Sequence, residues 1–143
     1  MQSLTVVLLL AVVASCYSHL LPRQKTFFAR AIATFTCKNA LIKVPIEFMK
    51  AGKDKNSHES LEKVTVRFGT FDAVVHDGGR KQLLQKIFFQ DKKPDLFLRV
   101  TYDCGCGKVY DTNFIPSNYV KQSEAEASAK PFNYGVVDLS KCK

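Results

Sequence analysis

Residues 94–104, Pro-Asp-Leu-Phe-Leu-Arg-Val-Thr-Tyr-Asp-Cys, alternate with a period of two. Leu96, Leu98, Val100 and Tyr102 point one way and Phe97, Arg99 and Thr101 the other, the pattern of a strand with one face in a core. Downstream, Cys104-Gly105-Cys106-Gly107 reads as a tight turn and residues 108–116 as a return strand stopped by Pro116. Upstream, Ile32, Thr34 and Thr36 alternate against Ala33, Phe35 and Cys37, giving a first strand. Val44, Ile46 and Phe48 do the same against Pro45, Glu47 and Met49. Pro45 cannot donate to a ladder, so that strand lies at an edge or Pro45 lies near its start. Residues 64–76 carry β-branched and aromatic side chains around Gly69, indicating two short strands or one bent one, ended by Gly78-Gly79. Residues 51–60 are a polar surface loop. Residues 121–130 form a soluble loop or short helix, and Gly135 opens a last strand through Val136, Val137 and Leu139. Residues 80–90 hold Leu83, Leu84, Ile87 and Phe88 at helical spacing, although Phe88-Phe89 would also suit a strand. About seven short strands with intervening turns predict an all-β sandwich, two sheets packed face to face, with one short helix at most.

The chain has 143 residues, a formal net charge of +8, five cysteines and no tryptophan. That length fits one domain. Residues 1–18 contain no acidic or basic side chain, and Leu4 to Ala14 is an almost unbroken apolar run. Such a run is too short to cross a bilayer. It is the centre of an export signal, followed by the small residues that a signal peptidase accepts, although the usual basic residue at its start is missing. Cleavage after Cys16 or Ser18 fits equally well. Residues 19–28 then form a basic lead-in, and 29–143 the domain of a secreted, extracellular protein. Four cysteines remain, Cys37, Cys104, Cys106 and Cys142, an even number in an oxidising compartment and therefore two expected disulfides.

The order of these segments resembles the nematode transthyretin-like secreted proteins: a Thr34-Phe35-Thr36-Cys37 strand, the 94–104 strand, Ile115-Pro116-Ser117-Asn118-Tyr119-Val120, and a Tyr134-Gly135-Val136-Val137-Asp138-Leu139 ending. The likeness runs from Ala29 to Cys142. It implies a transthyretin-like or immunoglobulin-like sandwich and a non-enzymatic binding protein for an extracellular protein, a lipid or a small hydrophobic ligand. In the family's pattern Cys37, Cys104, Cys106 and Cys142 take the four cysteine positions in order. Tyr102 stands where the family often has histidine, and Val66 where it has aspartate. Transthyretin-fold hydrolases of 5-hydroxyisourate build their site from a first-strand histidine, an arginine, a second histidine and a C-terminal Tyr-Arg-Gly-Ser. This chain has no histidine in its first strand and ends Asp-Leu-Ser-Lys-Cys-Lys.

One residue separates Cys104 from Cys106, so a bond between them would be strained and both are expected to pair outward. Two connectivities remain open, Cys37 with Cys104 and Cys106 with Cys142 being the favoured one. His19, His58 and His76 show no ligand spacing, so no metal is expected, and neither are a cofactor or catalytic residues. The positive charge is scattered, which is commonly a solvated face. Lys53, Lys55, Arg80, Lys81, Lys92 and Lys93 are the candidate patches for an anionic membrane surface or a glycosaminoglycan. Nucleic acid is not expected as a partner, since no recognition motif accompanies the charge. The alternative to a ligand-binding protein is a secreted effector that grips a host or neighbouring-cell protein through an exposed strand edge or the 51–60 loop.

Overall fold

A computed structural model describes residues 25–78 and 92–141. The export-signal reading at 1–18, His19, the 80–90 segment with Arg80 and Lys81, and Cys142 lie outside the described residues. The described chain is an all-β sandwich of two four-stranded sheets. Its strands are β1 (Phe27–Cys37), β2 (Ala40–Leu41), β3 (Val44–Lys50), β4 (Glu59–Val66), β5 (Thr70–Asp77), β6 (Leu96–Thr101), β7 (Val109–Asp111) and β8 (Phe132–Asp138). One short helix, α1 (Glu124–Ala129), precedes β8, with the Ser123 hydroxyl accepting the Glu126 N–H at its start. Serine in that place satisfies a backbone donor left over by the first helical turn.

In the first sheet β1 is central. It pairs antiparallel with β5 and, over two residues, with β2, and parallel with β8 on its other side. The second sheet runs β4-β3-β6-β7, every pair antiparallel. β1 begins two residues inside the segment read as a lead-in, because Phe27 already contributes a buried ring to the alternation of Ala29, Ala31, Ala33 and Phe35. Pro45 is the second residue of β3, and pairing with β6 starts one residue later at Ile46. On the β4 side Pro45 stands opposite Thr65, so the proline lies near the start of a central strand and not on an edge strand. Gly135 does not open the last strand but sits in its middle with φ +69, beside the register shift between Ile32 and Thr34.

The core is asymmetric. β1 offers Ala29, Ala31 and Ala33, all fully buried, while β3 and β6 offer Ile46, Phe48, Leu98 and Val100. The three alanines lie between buried Phe27 and Phe35 on β1, and they leave room for the larger side chains of β3 and β6, so that the space between the sheets is filled at the density that protein interiors require. Phe48 and Phe71 meet across the two sheets with ring centroids 6.3 Å apart. At the β6 edge Thr112 closes the ladder: its N–H donates to the Leu98 carbonyl and its Oγ1 accepts the Leu98 N–H at 2.9 Å. No buried side-chain nitrogen or oxygen among the described residues lacks a partner.

Gly69 carries the turn from β4 to β5. Its φ is +69, its carbonyl accepts the Phe35 N–H at 2.8 Å, and a Cβ there would collide with the Phe35 carbonyl oxygen. Gly69→Ala is expected to lower stability by about 1–3 kcal/mol, the usual cost of forcing a side chain into the left-handed region. Denaturant unfolding of the two proteins measures it; equal midpoints would mean that the turn relaxes freely.

The exposed faces are laced by carboxylate pairs. Arg30 and Asp72 meet in a two-pronged contact of 2.7 and 2.8 Å between β1 and β5, and Arg99 meets Asp111 in the same way between β6 and β7. Hydrogen bonding from Arg30 holds Asp72 below its ordinary range, and hydrogen bonding from Lys63 does the same for Glu47. Lowered folded-state values make the unfolded chain the stronger proton binder. The contribution of these groups is therefore complete above the ordinary carboxylate range near pH 4 and is lost as the pH falls through their folded values. Urea midpoints are expected to be flat from neutral pH to about 5 and to drop below about 4. Asp72→Asn should flatten part of that drop; an unchanged acid limb would remove Asp72 from the explanation.

The disulfide-tied end as candidate binding surface

The sheet registers decide which residues share an end of the sandwich. Val44 pairs with Val66, so Lys43 and Arg67, one step beyond, extend two neighbouring strands at the same end. Thr101, which pairs with Val109, follows Val100, which pairs with Ile46. This brings the 102–108 turn to that end as well. The C-terminal end of β1 arrives there too, with Cys37 joined to Cys104, Cα atoms 5.8 Å apart and 67 residues apart in sequence. This bond staples the central strand of one sheet to the loop leaving the other. Cys106 is also disulfide-bonded, and its sulfur lies 3.3 Å from the Ser140 carbonyl. Both turn cysteines therefore pair outward, as their spacing required.

Glycine stands between the two cysteines and again directly after the second. Gly105 and Gly107 both have φ +97, and the Asp103 carboxylate accepts the Gly105 N–H at 2.9 Å. On the β8 side Leu139 N–H donates to the Thr36 carbonyl. Asp138 there accepts from both the hydroxyl and the N–H of Ser140. Those bonds, with Lys141 nearby and the Lys38 N–H, hold its carboxyl below the usual range.

This end exposes apolar side chains. Phe68 is 74% exposed, Leu41 58% and Val109 56%. Phe68 lies in the three-residue loop between β4 and β5, and Leu41 rests against Gly69, 3.4 Å from where a Cβ would stand. The adjacent charges are mostly basic: Lys38, Lys43, Arg67, Lys108 and Lys141 are all exposed. The acidic residues at this end among the described residues are Asp103 and Asp138, both engaged by the backbone N–H groups named above.

The lysines singled out in the sequence are elsewhere. Ala51 N–H donates to the Asp95 carbonyl, which sets the loop with Lys53 and Lys55 beside the segment with Lys92 and Lys93, at the opposite end. Asp54, Glu59 and Asp95 are exposed among them, and Lys93 Nζ is donated to the Ser117 carbonyl at 2.8 Å. The structure thus brings those four together, but in mixed charge, and the exposed apolar side chain at that end is Phe114, 55% exposed, its ring against Phe97 rather than on the lysine loop. His58 is engaged locally, its Nδ1 accepting the Gly52 N–H and its ring edge meeting Phe97. His76 lies beside Phe28. Among the described residues no three His, Cys, Asp or Glu side chains gather to hold a metal ion. Tyr134, whose phenol burial pushes up to about 12, donates to the Asn113 carbonyl at 2.8 Å and serves the fold.

Leu41, Phe68 and Val109 were not legible as site residues in the sequence, where apolar side chains flanking strands read as core. The available signal was Phe68 itself, an aromatic residue placed between Arg67 and the glycine that must turn the chain.

No known family profile matches the chain, and no curated protein matches it. Among solved structures it is similar to the crystal structure of a 9R-lipoxygenase from Cyanothece PCC8801, at 20% identity and a TM-score of 0.40, over 85% of this chain and 17% of that one. The chain thus spans 17% of that enzyme's length, and likeness at this level carries no argument about activity.

Proposed function

We propose that this is a secreted, non-enzymatic binding protein of the transthyretin-like family, working outside the cell through the disulfide-tied end of its sandwich. The observation that carries the reading is the exposure on that end of Phe68 and of Leu41, whose side chain lies against Gly69, the residue after Phe68. Large apolar side chains on a free surface cost solubility, and their clustering is commonly the mark of a contact site. The export reading rests on the uncharged apolar start of the chain and on oxidised Cys37, Cys104 and Cys106, which suit an oxidising compartment. The family reading rests on the order of the Thr34–Cys37, 94–104, Ile115–Val120 and Tyr134–Leu139 segments. The second turn disulfide is proposed to join Cys106 to Cys142, since the Cys106 sulfur already lies against Ser140.

A photo-crosslinking benzoylphenylalanine placed at position 68, and in a second protein at position 59 at the opposite end, tests the surface. Incubation with extracellular material is expected to give a defined adduct from 68 and background from 59. Adducts from 59 alone would move the binding surface to the 51–60 loop and favour the effector reading.

A further inference from the structure

We infer that the disulfide-tied end docks on an anionic phospholipid surface, with Phe68 and Leu41 entering the headgroup layer between Lys38, Lys43, Arg67, Lys108 and Lys141. This deepens the binding-surface reading and rests on it.

The geometry suits an interface between water and lipid. Phe68 stands on a loop that cannot fold its ring inward, because Val66 before it is buried in the core and Gly69 after it is fixed to the Phe35 N–H. Leu41, whose side chain lies against Gly69, stands on the two-residue strand β2 in register with Thr36. Both loops are tied to the rigid sandwich through β1, so presenting these side chains requires little further ordering. An apolar tip framed by cations is the arrangement that interfacial segments use, with apolar burial and attraction to anionic headgroups adding together.

Charge and chemistry select the occupant. A second copy of the chain would bring the same cations face to face, and like charges repel. A sulfated polysaccharide would meet the cations but remain hydrated, leaving Phe68, Leu41 and Val109 with nothing to bury against. The two carboxylates, hydrogen-bonded to Gly105 and Ser140, keep their charge, but against the five cations Lys38, Lys43, Arg67, Lys108 and Lys141 the end stays net positive. A bilayer bearing anionic headgroups meets both the apolar and the basic requirement.

Co-sedimentation of the oxidised protein with phosphatidylglycerol–phosphatidylcholine vesicles, with phosphatidylcholine vesicles and with heparin beads tests this. Binding is expected to the anionic vesicles only and to weaken with added salt. Phe68→Ser should reduce vesicle affinity by about tenfold or more, and Lys43→Gln or Arg67→Gln by about fivefold each. Lys53→Gln with Lys55→Gln at the far end should leave it unchanged. Phe68 is exposed, so unfolding curves of Phe68→Ser should match the parent and certify that the variant is folded. Equal binding to both vesicle types, loss on changing Lys53 and Lys55, or binding to heparin without vesicle binding would each overturn the lipid assignment. A protein adduct from position 68 with no vesicle binding would overturn the lipid assignment while leaving the binding surface standing; background from 68 would remove both.

Discussion

Replacing Cys37 and Cys104 together by serine is expected to lower the free energy of unfolding by about 4 kcal/mol, the chain-entropy value for a closure of this length. The bond spans 67 residues of sequence, so its loss releases most of the sandwich in the unfolded state. It also frees the 102–108 turn from the end of β1, where no backbone hydrogen bond among the described residues joins the two sheets. The rest of the core is untouched, so the protein should still fold at neutral pH and moderate temperature. Guanidinium unfolding of the double variant checks this; a loss below about 1 kcal/mol would mean that the entropy of the open loop is already restricted. Any vesicle binding should fall as well, because Lys38 and Leu41 are placed from the same end of β1.

The second large effect lies in the centre. Phe48→Ala is expected to cost about 3–5 kcal/mol, the range for a buried phenylalanine replaced without full collapse of the site. Phe48 is 1% exposed, lies on β3 between β4 and β6, and meets Phe71 of the other sheet. Ala29, Ala31 and Ala33 on the inner face of β1 are too short to reach in and fill the space. Phe48→Leu should recover more than half of the loss. Equilibrium denaturation of both variants gives the numbers; a cost for Phe48→Ala below about 1 kcal/mol would show that the two sheets close over the vacancy.

Much of the fold was legible because a sheet with one wet face writes itself as alternation. Leu96, Leu98 and Val100 are fully buried, as are Ala33 and Phe35 of β1, whereas Phe97, on the other face of β6, is buried as well at 2% because it packs on His58 and Phe114. Gly69 divides β4 from β5 as its lack of a side chain suggested, and residues 124–129 realise the helical option, with Ala127 buried. The parallel pairing of β8 with β1 was not legible, since nothing local in either segment records a partner a hundred residues away. Gly135 was misplaced for a related reason: glycine before Val-Val looks like a strand opening, whereas the register of β1 makes it an irregularity inside the strand. β1 starts earlier than read because a basic neighbourhood masked the buried ring of Phe27.

The candidate site was harder to see for a physical reason. Linear runs of lysine draw attention in a sequence, yet Lys53 and Lys55 fold into a loop with their own acidic neighbours. The surface proposed to bind is assembled from segments around 38–43, 67–69, 108–109 and 141, each with one or two bases. Only the strand registers and the Cys37–Cys104 bond bring them to one end.

The chain contains no tryptophan, so Phe68→Trp installs a single reporter at the tip of that end. Its emission should lie at long wavelength in buffer, shift to the blue when anionic vesicles are added, and then resist quenching by iodide. Emission that stays fixed, with quenching unchanged at saturating anionic lipid, would contradict the docking of this end on a membrane surface.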